Sequence, residues 1–257
     1  MKGLWLENLT WPEAKSAIDA GRPIIIPIGA IAKEHGHHLP LNTDYLIARA
    51  LADAVAAELA VLIAPVVCFG YYPAFVRYPG SQTIAAATFQ NLLLDIFVKF
   101  ARDGATGMAV INTGVSTEAP LRIAIRDFYE KNGLRVHSAD IRMLGANSRH
   151  LLAQKSGGHA DEWETSVMMA IAAGTVRLDS ARPDYGQADA QAGGAFYTPT
   201  IFNDNPASGF DYSATGARGD PSLASAEKGR AFLADMVAEL IAGLKATFPQ
   251  LAEGSQP

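Results

Sequence analysis

Two hydrophobic periods take turns along this chain, and their order leaves few folds open. "PIIIPIGA" (23–30) is short, β-branched and closed by Gly29, as a buried strand is. "TDYLIARALADAVAAEL" follows, with Leu46, Ile47, Ala50, Leu51 and Ala54 on one helical face and Thr43 placed to cap it. "VLIAPVV" (61–67) reads as the next strand. "TFQNLLLDIFVKFARDG" then sets Phe89, Leu92, Leu93, Ile96, Phe97 and Phe100 on one stripe and stops at Gly104. "GMAVIN" (107–112) and "LRVHSAD" (134–140) read as strands around the helix "APLRIAIRDFYEKNG". "DEWETSVMMAIAAG" (161–174) is a further helix. A last one opens at residues 220–221 and buries Phe232, Leu233, Met236, Val237, Leu240, Ile241 and Leu244. Strands alternating with helices predict an α/β fold, a three-layer α/β/α sandwich with a mainly parallel central sheet.

The 257 residues are read as a single domain. Residues 175–222 are rich in Gly, Pro, Ala and Asp with little periodicity, and no second core follows them. They are expected to form a long irregular segment over the active face. A net charge of −5 without any Lys/Arg run argues against nucleic acid and anionic membrane as partners. No apolar run reaches the roughly 18 residues of a membrane span. The single cysteine, Cys68, excludes an internal disulfide framework. With no signal-peptide pattern in "MKGLWLENLTW", a cytoplasmic protein is expected.

Ligands of open α/β sheets bind beyond the C-terminal strand ends. Residues 30–44, 68–83 and 112–118 occupy such places, and the first holds "AKEHGHHLPLNTD" (32–44). Glu34, His35, His37, His38 and Asp44 are crowded there, and imidazole and carboxylate are the usual ligands of zinc and manganese. The stretch is either a metal site or a polar loop in which Asp44 merely favours a helix start. "GGHADEWETS" (157–166) adds His159, Asp161, Glu162 and Glu164. A dipole-matched first turn explains Asp161 and Glu162 better than it explains His159 and Glu164. Tyr71, Tyr72, Phe75, Arg77 and Trp163 are candidates for lining a pocket, and packing is their alternative role.

Taken together these motifs resemble the creatininase (creatinine amidohydrolase) family. "IPIGA" with "HGHHLPLNTD" resembles its Glu-x-His-Gly-x-His-Leu-Pro-Leu-x-Thr-Asp signature. "GYYPAF" with "YPGSQTI" resembles its Pro-Gly-Thr segment. "HADEWETS" resembles its His-Ala-Gly-x-x-Glu-Thr-Ser, and "GARGDPSLASAEKGR" (216–230) its Gly-Asp-Pro tail. The resemblance implies a homohexamer that hydrolyses amides, often cyclic ones, with one or two zinc or manganese ions. Some relatives cleave formamides, peptides or cyclitol-type ring ketones. It also implies that His35 and Asp44 are metal ligands, that Glu164 is a further one, and that His159 is the catalytic histidine.

Two departures stand out. The family glutamate falls on Lys33, and Glu34 is adjacent to His35 instead of two residues before it. A local bulge would turn Glu34 into the site as a fourth ligand. The family's Asn-Gly-His segment is "NTGVST" here, with Gly114 where a ligating histidine belongs. One ion is therefore expected, with the second position weakened or lost. The Lys33 ammonium either stands in for the missing cation beside Asp44 or is an ordinary solvated lysine. Ser116 and Thr117 are expected to cap the next helix, with hydrogen bonding to substrate as their alternative role. The chain is thus expected to be a metal-dependent hydrolase of a small, possibly cyclic, amide or related ring, with metal-activated water and His159 as proton shuttle. The alternative is a degenerate member that binds a small polar ligand without hydrolysis.

Overall fold

The computed structural model describes residues 2–186 and 198–252. Its strands are β1 (Leu4–Trp5), β2 (Ile24–Ile28), β3 (Leu62–Ile63), β4 (Met108–Asn112) and β5 (Val136–Asp140). They form one parallel sheet in the order β1-β3-β2-β4-β5. The helices are α1 (Trp11–Asp19), α2 (Thr43–Glu58), α3 (Ala86–Arg102), α4 (Glu118–Asn132), α5 (Glu162–Ile171) and α6 (Ala226–Thr247). Side-chain alternation along β2 sends Ile25 to one face and Ile24, Ile26 and Ile28 to the other. Ile25 meets Leu51, Val167, Phe232 and Met236 of α2, α5 and α6. Ile24, Ile26 and Ile28 meet Ile18, Phe89, Phe97, Leu121 and Phe128 of α1, α3 and α4. Helices therefore cover both faces, and the fold is the three-layer α/β/α sandwich expected.

The topology locates the crevice. The chain leaves β2 toward β3 on one side and leaves β4 toward β5 on the other, although β2 and β4 are neighbours. Connections that diverge from adjacent parallel strands open a gap at their C-terminal ends. The loops after β2 and β4 meet there. The Thr113 hydroxyl lies 2.9 Å from the Ile28 carbonyl and 3.0 Å from the Asp44 carbonyl.

Several local expectations are corrected. The strand expected at 61–67 is confined to β3, with one further bridge at Val67, because Pro65 has no N–H for the ladder. Residues 221–223 are a separate turn of 3-10 helix, and α6 starts at Ala226 under a Ser225 cap on Lys228 N–H. Asn42, not Thr43, precedes α2, and the Thr43 hydroxyl donates to the Pro40 carbonyl. Thr117 precedes α4 without capping it; its hydroxyl is held by Asn112 and Gly114. Ser116 makes no cap either. The pairing of β1 with β3, and α1, were not anticipated. Of the irregular stretch 175–222, residues 187–197 lie outside the described residues. Its remaining parts approach the crevice through Arg218 paired with His159, Arg177 N–H on the His38 carbonyl and Phe202 N–H on the Ala74 carbonyl. Among the described residues no helix is long and apolar enough to cross a membrane.

Candidate functional site

The loop after β2 is pinned before it reaches α2. Lys33 N–H donates to the Leu41 carbonyl, and Glu34 N–H to the Ser81 hydroxyl. This tight return buries Lys33, Glu34, His35 and His38, and leaves His37 exposed. Asp44 follows on the first turn of α2 and is 1% exposed. His159 and Glu164 arrive from the start of α5. Asp161 caps that helix on Trp163 and Glu164 N–H, which turns the Glu164 side chain back onto Ala160 N–H. Buried Ala160 takes a φ of 47°, in the left-handed region that a non-glycine residue rarely adopts, one position after His159.

Two ionic groups result. In the first, Asp44 stands between two partners: its Oδ1 is 2.9 Å from His35 Nε2 and its Oδ2 is 2.7 Å from the Lys33 ammonium. The ammonium is an ion-pair partner off the aligned hydrogen-bond direction, and among the described residues Oδ2 has no other donor. Burial alone would raise the Asp44 carboxyl. Lys33 and then His35 overcome it and hold Asp44 below the usual carboxylate range. The Lys33 carbonyl, which can only accept, lies 2.8 Å from His35 Nδ1, so that nitrogen carries a hydrogen and Nε2 faces Asp44.

In the second group, Glu34 Oε2 is 3.0 Å from His159 Nε2 and Oε1 accepts from Gly36 N–H. Burial opposes ionisation of Glu34 most strongly, but His159, Gly36 N–H and His35 together outweigh it and the carboxyl is lowered. This packing needs Gly216 (φ 78°), where a Cβ would stand 2.0 Å from Glu34 Oε1. His159 Nδ1 is 3.8 Å from Glu164 Oε2. Burial pushes the Glu164 carboxyl up to about 7, against the pull of His159 and Lys33. The rings of His35 and His159 are 4.9 Å apart, and Phe75 stacks on His159 at 4.0 Å.

The structure thus brings His35, His159 and Glu164 together, with one ligand atom from each lying within 4.8 Å of the others. Glu34 and Asp44 flank this trio, each engaged with its own partners. Nitrogen–nitrogen–oxygen is a donor set that zinc and manganese accept. Each histidine also has its other ring nitrogen, or the ring's flank, held by an oxygen: the Lys33 carbonyl for His35 and Glu34 for His159. The residues present fit one ion. Tyr72 and Phe75 border the site through contacts with Lys33 at 5.7 and 5.2 Å. Arg77 is exposed, Tyr71 packs beneath the sheet, and Trp163 packs on Phe232, so these three are not gathered there. Glu162 is structural: it accepts from Ala153 and Gln154 N–H and pairs with Lys228. A cavity of about 330 Å³ beside β4 and β5, lined by Asn112, Glu118, His137 and Asp140 among others, includes none of the site residues named from the sequence.

Sequence reading missed Ser81, Ala160, Thr165 and Gly216. Thr165 lies within the "ETS" motif but was given no role; its hydroxyl is 2.8 Å from His38 Nε2. Burial, with smaller help from His35, His159 and His37 and against Glu34, pushes His38 down to about 4. The folded chain therefore holds His38 neutral, while the unfolded chain protonates it near pH 6.5. Its contribution is complete above pH 6.5 and is lost as the pH falls from there toward 4. Between pH 7 and 4.5 the wild type is expected to lose on the order of 2 kcal/mol more stability than His38→Asn. Denaturant midpoints at the two pH values check this; equal losses would sink it.

A family model described as creatinine amidohydrolase matches residues 7–244. The chain is 30% identical over 117 residues to creatinine amidohydrolase of Pseudomonas putida, across 43% of this chain and 45% of that protein. The chain thus spans less than half the length of that relative. It is 30% identical over 243 residues to a mycofactocin precursor peptide peptidase of Mycobacterium ulcerans (strain Agy99), across 90% and 84% of the two chains. Two solved structures share the fold. A crystal structure of creatinine amidohydrolase (creatininase) superposes with a TM-score of 0.84 at 23% identity, over 97% of this chain and 99% of the other. One solved as "Creatininase Mn" does so at 0.81 and 24%, over 96% and 100%.

Proposed function

The chain belongs to the creatinine amidohydrolase (creatininase) family, and on that premise we propose that it is a metal-dependent hydrolase of an amide C–N bond. The observation that carries this reading is the convergence of His35, His159 and Glu164 at the C-terminal end of the sheet. They would hold one zinc or manganese ion, which when bound would polarise the substrate carbonyl and lower the pKa of a water. The chain does the rest. The Lys33 carbonyl keeps the hydrogen on His35 Nδ1 and so presents Nε2. Glu34 accepts from His159 Nε2 and so presents Nδ1 toward Glu164. Phe75 covers one face of the His159 ring and keeps water from it.

A second reading gives His159 the proton and not the ion, as its match to the family's catalytic histidine implies. The 3.8 Å gap from Nδ1 to Glu164 Oε2 supports it, because that nitrogen makes no hydrogen bond among the described residues and is free to take a proton. The ion would then rest on His35 and Glu164, with Asp44 or Glu34 released from its present partner. Metal content decides: His159→Ala keeps the ion if the ring is a shuttle and loses it if the ring is a ligand.

The substrate class proposed is a small amide, cyclic or open. The relative named for a precursor peptide makes a peptide bond the other substrate to assay. Purified protein loaded with zinc or manganese should be tested on creatinine, other lactams, formamides and short peptides. His35→Ala and Glu164→Gln should each lose the ion and at least about 100-fold of the hydrolysis. If the loaded protein turns over none of them while still binding a small polar ligand, it is a binding protein and the hydrolase reading is wrong.

A further inference from the structure

We propose that Lys33 is a built-in second cation of this centre, so that the site takes one divalent ion and the Lys33 ammonium holds the place of another beside Asp44. The inference rests on the reading above only for the identity of the first ion. Asp44 is 1% exposed and faces the site with both oxygens. Its Oδ1 meets His35, one of the three residues placed to hold an ion, and its Oδ2 meets the Lys33 ammonium at 2.7 Å and, among the described residues, no other donor. The carboxylate therefore bridges the metal-binding trio and a fixed positive charge. A buried ammonium persists only where other groups replace its water. Here Asp44 supplies the counter-charge, and the rings of Phe75 and Tyr72 face the ammonium at 5.2 and 5.7 Å. Bulk water has little access to it, since its side chain is 7% exposed.

The surroundings are built for the ammonium and not for a second ion. Gly114, at the end of β4, sends no donor toward Asp44. A Cβ there would stand 2.6 Å from Thr117 Oγ1 and 3.0 Å from the Tyr72 ring, so a side chain at this position would have to displace them. The Tyr72 ring fills that flank. A divalent ion beside Oδ2 would have to sit against the ammonium.

Metal titration followed by elemental analysis, with the melting temperature as a second readout, tests this on the full chain. Wild type should saturate at about one zinc or manganese ion per chain. Lys33→Glu leaves the carboxylate of Asp44 beside another, and should bind about one ion more than wild type at millimolar manganese. Its melting temperature should rise by several degrees more on adding the metal. Should Lys33→Glu fail to fold in any buffer, Lys33→Met is the deciding variant: its manganese-dependent rise in melting temperature should exceed that of wild type. Two ions in wild type overturn the proposal. So does a Lys33→Glu protein that binds no more than wild type, or, where that variant does not fold, a Lys33→Met protein with no extra response. The difference between variant and wild type tests Lys33, whereas wild-type turnover tests the hydrolase reading. If wild type holds no ion and Lys33→Glu holds one, the hydrolase reading fails and Lys33 keeps its role.

Discussion

Asp44→Asn is expected to cost about 3–5 kcal/mol of folding stability at neutral pH, the usual penalty for removing one partner of a buried ion pair. The substitution keeps the volume and removes only the charge. It strips the counter-charge from Lys33, whose ammonium lies 2.7 Å from Oδ2, and weakens the contact with His35 Nε2 at 2.9 Å. Neither partner can turn to water, because Lys33 is 5% exposed and His35 0%. The same carboxylate also lies on the helix that carries the loop after β2, so its loss loosens the site and the fold together. Chemical denaturation of the two proteins measures the difference. A double variant with Lys33→Met should recover part of the loss, since the charge left stranded is then gone as well. A cost below about 1 kcal/mol for Asp44→Asn would mean that water reaches Lys33 and that the pair is not buried in solution.

Gly229→Ala is expected to destabilise the chain by about 3 kcal/mol or more, at the upper end of overpacking penalties. Gly229 lies in the first turn of α6 and is buried against α5. A Cβ added there would stand 1.8 Å from the Ser166 carbonyl oxygen and 3.0 Å from Val167 N. The obstacle is helix backbone, which cannot swing aside as a flexible side chain would. The two helices must separate, and the Ser166 hydroxyl that accepts from Ser225 N–H moves with them. Because α5 also carries Glu164 and follows His159, metal affinity should fall along with stability. An unchanged denaturation midpoint for Gly229→Ala would show that α5 and α6 do not approach this closely.

Hydrophobic period was enough to place β2, α2, α3, β4, α4, β5 and α5 to within a residue or two, apart from the C-terminal end of α5, which stops at Ile171. Burial of one face is a local property, and each residue carries it in its own side chain. From the alternation of strand and helix the parallel sheet followed, and from the sheet the expectation that the stretch after β2 lies at a ligand-binding edge. Period failed where geometry depends on a single backbone group. Pro65 shortened β3, and the Ser225 cap moved the start of α6 from the residues at 220–221.

The chemistry divides in the same way. That Glu34, His35 and Asp44 crowd one loop, and His159 and Glu164 another, is written in the order of residues. Which of them meet is not. Glu34 and His159 are 125 positions apart, and only the packing of α5 beside the β2–α2 loop puts them 3.0 Å from each other. The sequence left Lys33 either as a counter-charge to Asp44 or as a solvated surface residue, since a lysine reads the same in both settings. Tertiary structure placed it against Asp44 under the rings of Phe75 and Tyr72. A buried charge persists only where the folded layers shut out water and hold a compensating group against it. That is a property of the assembled layers and not of any stretch of chain.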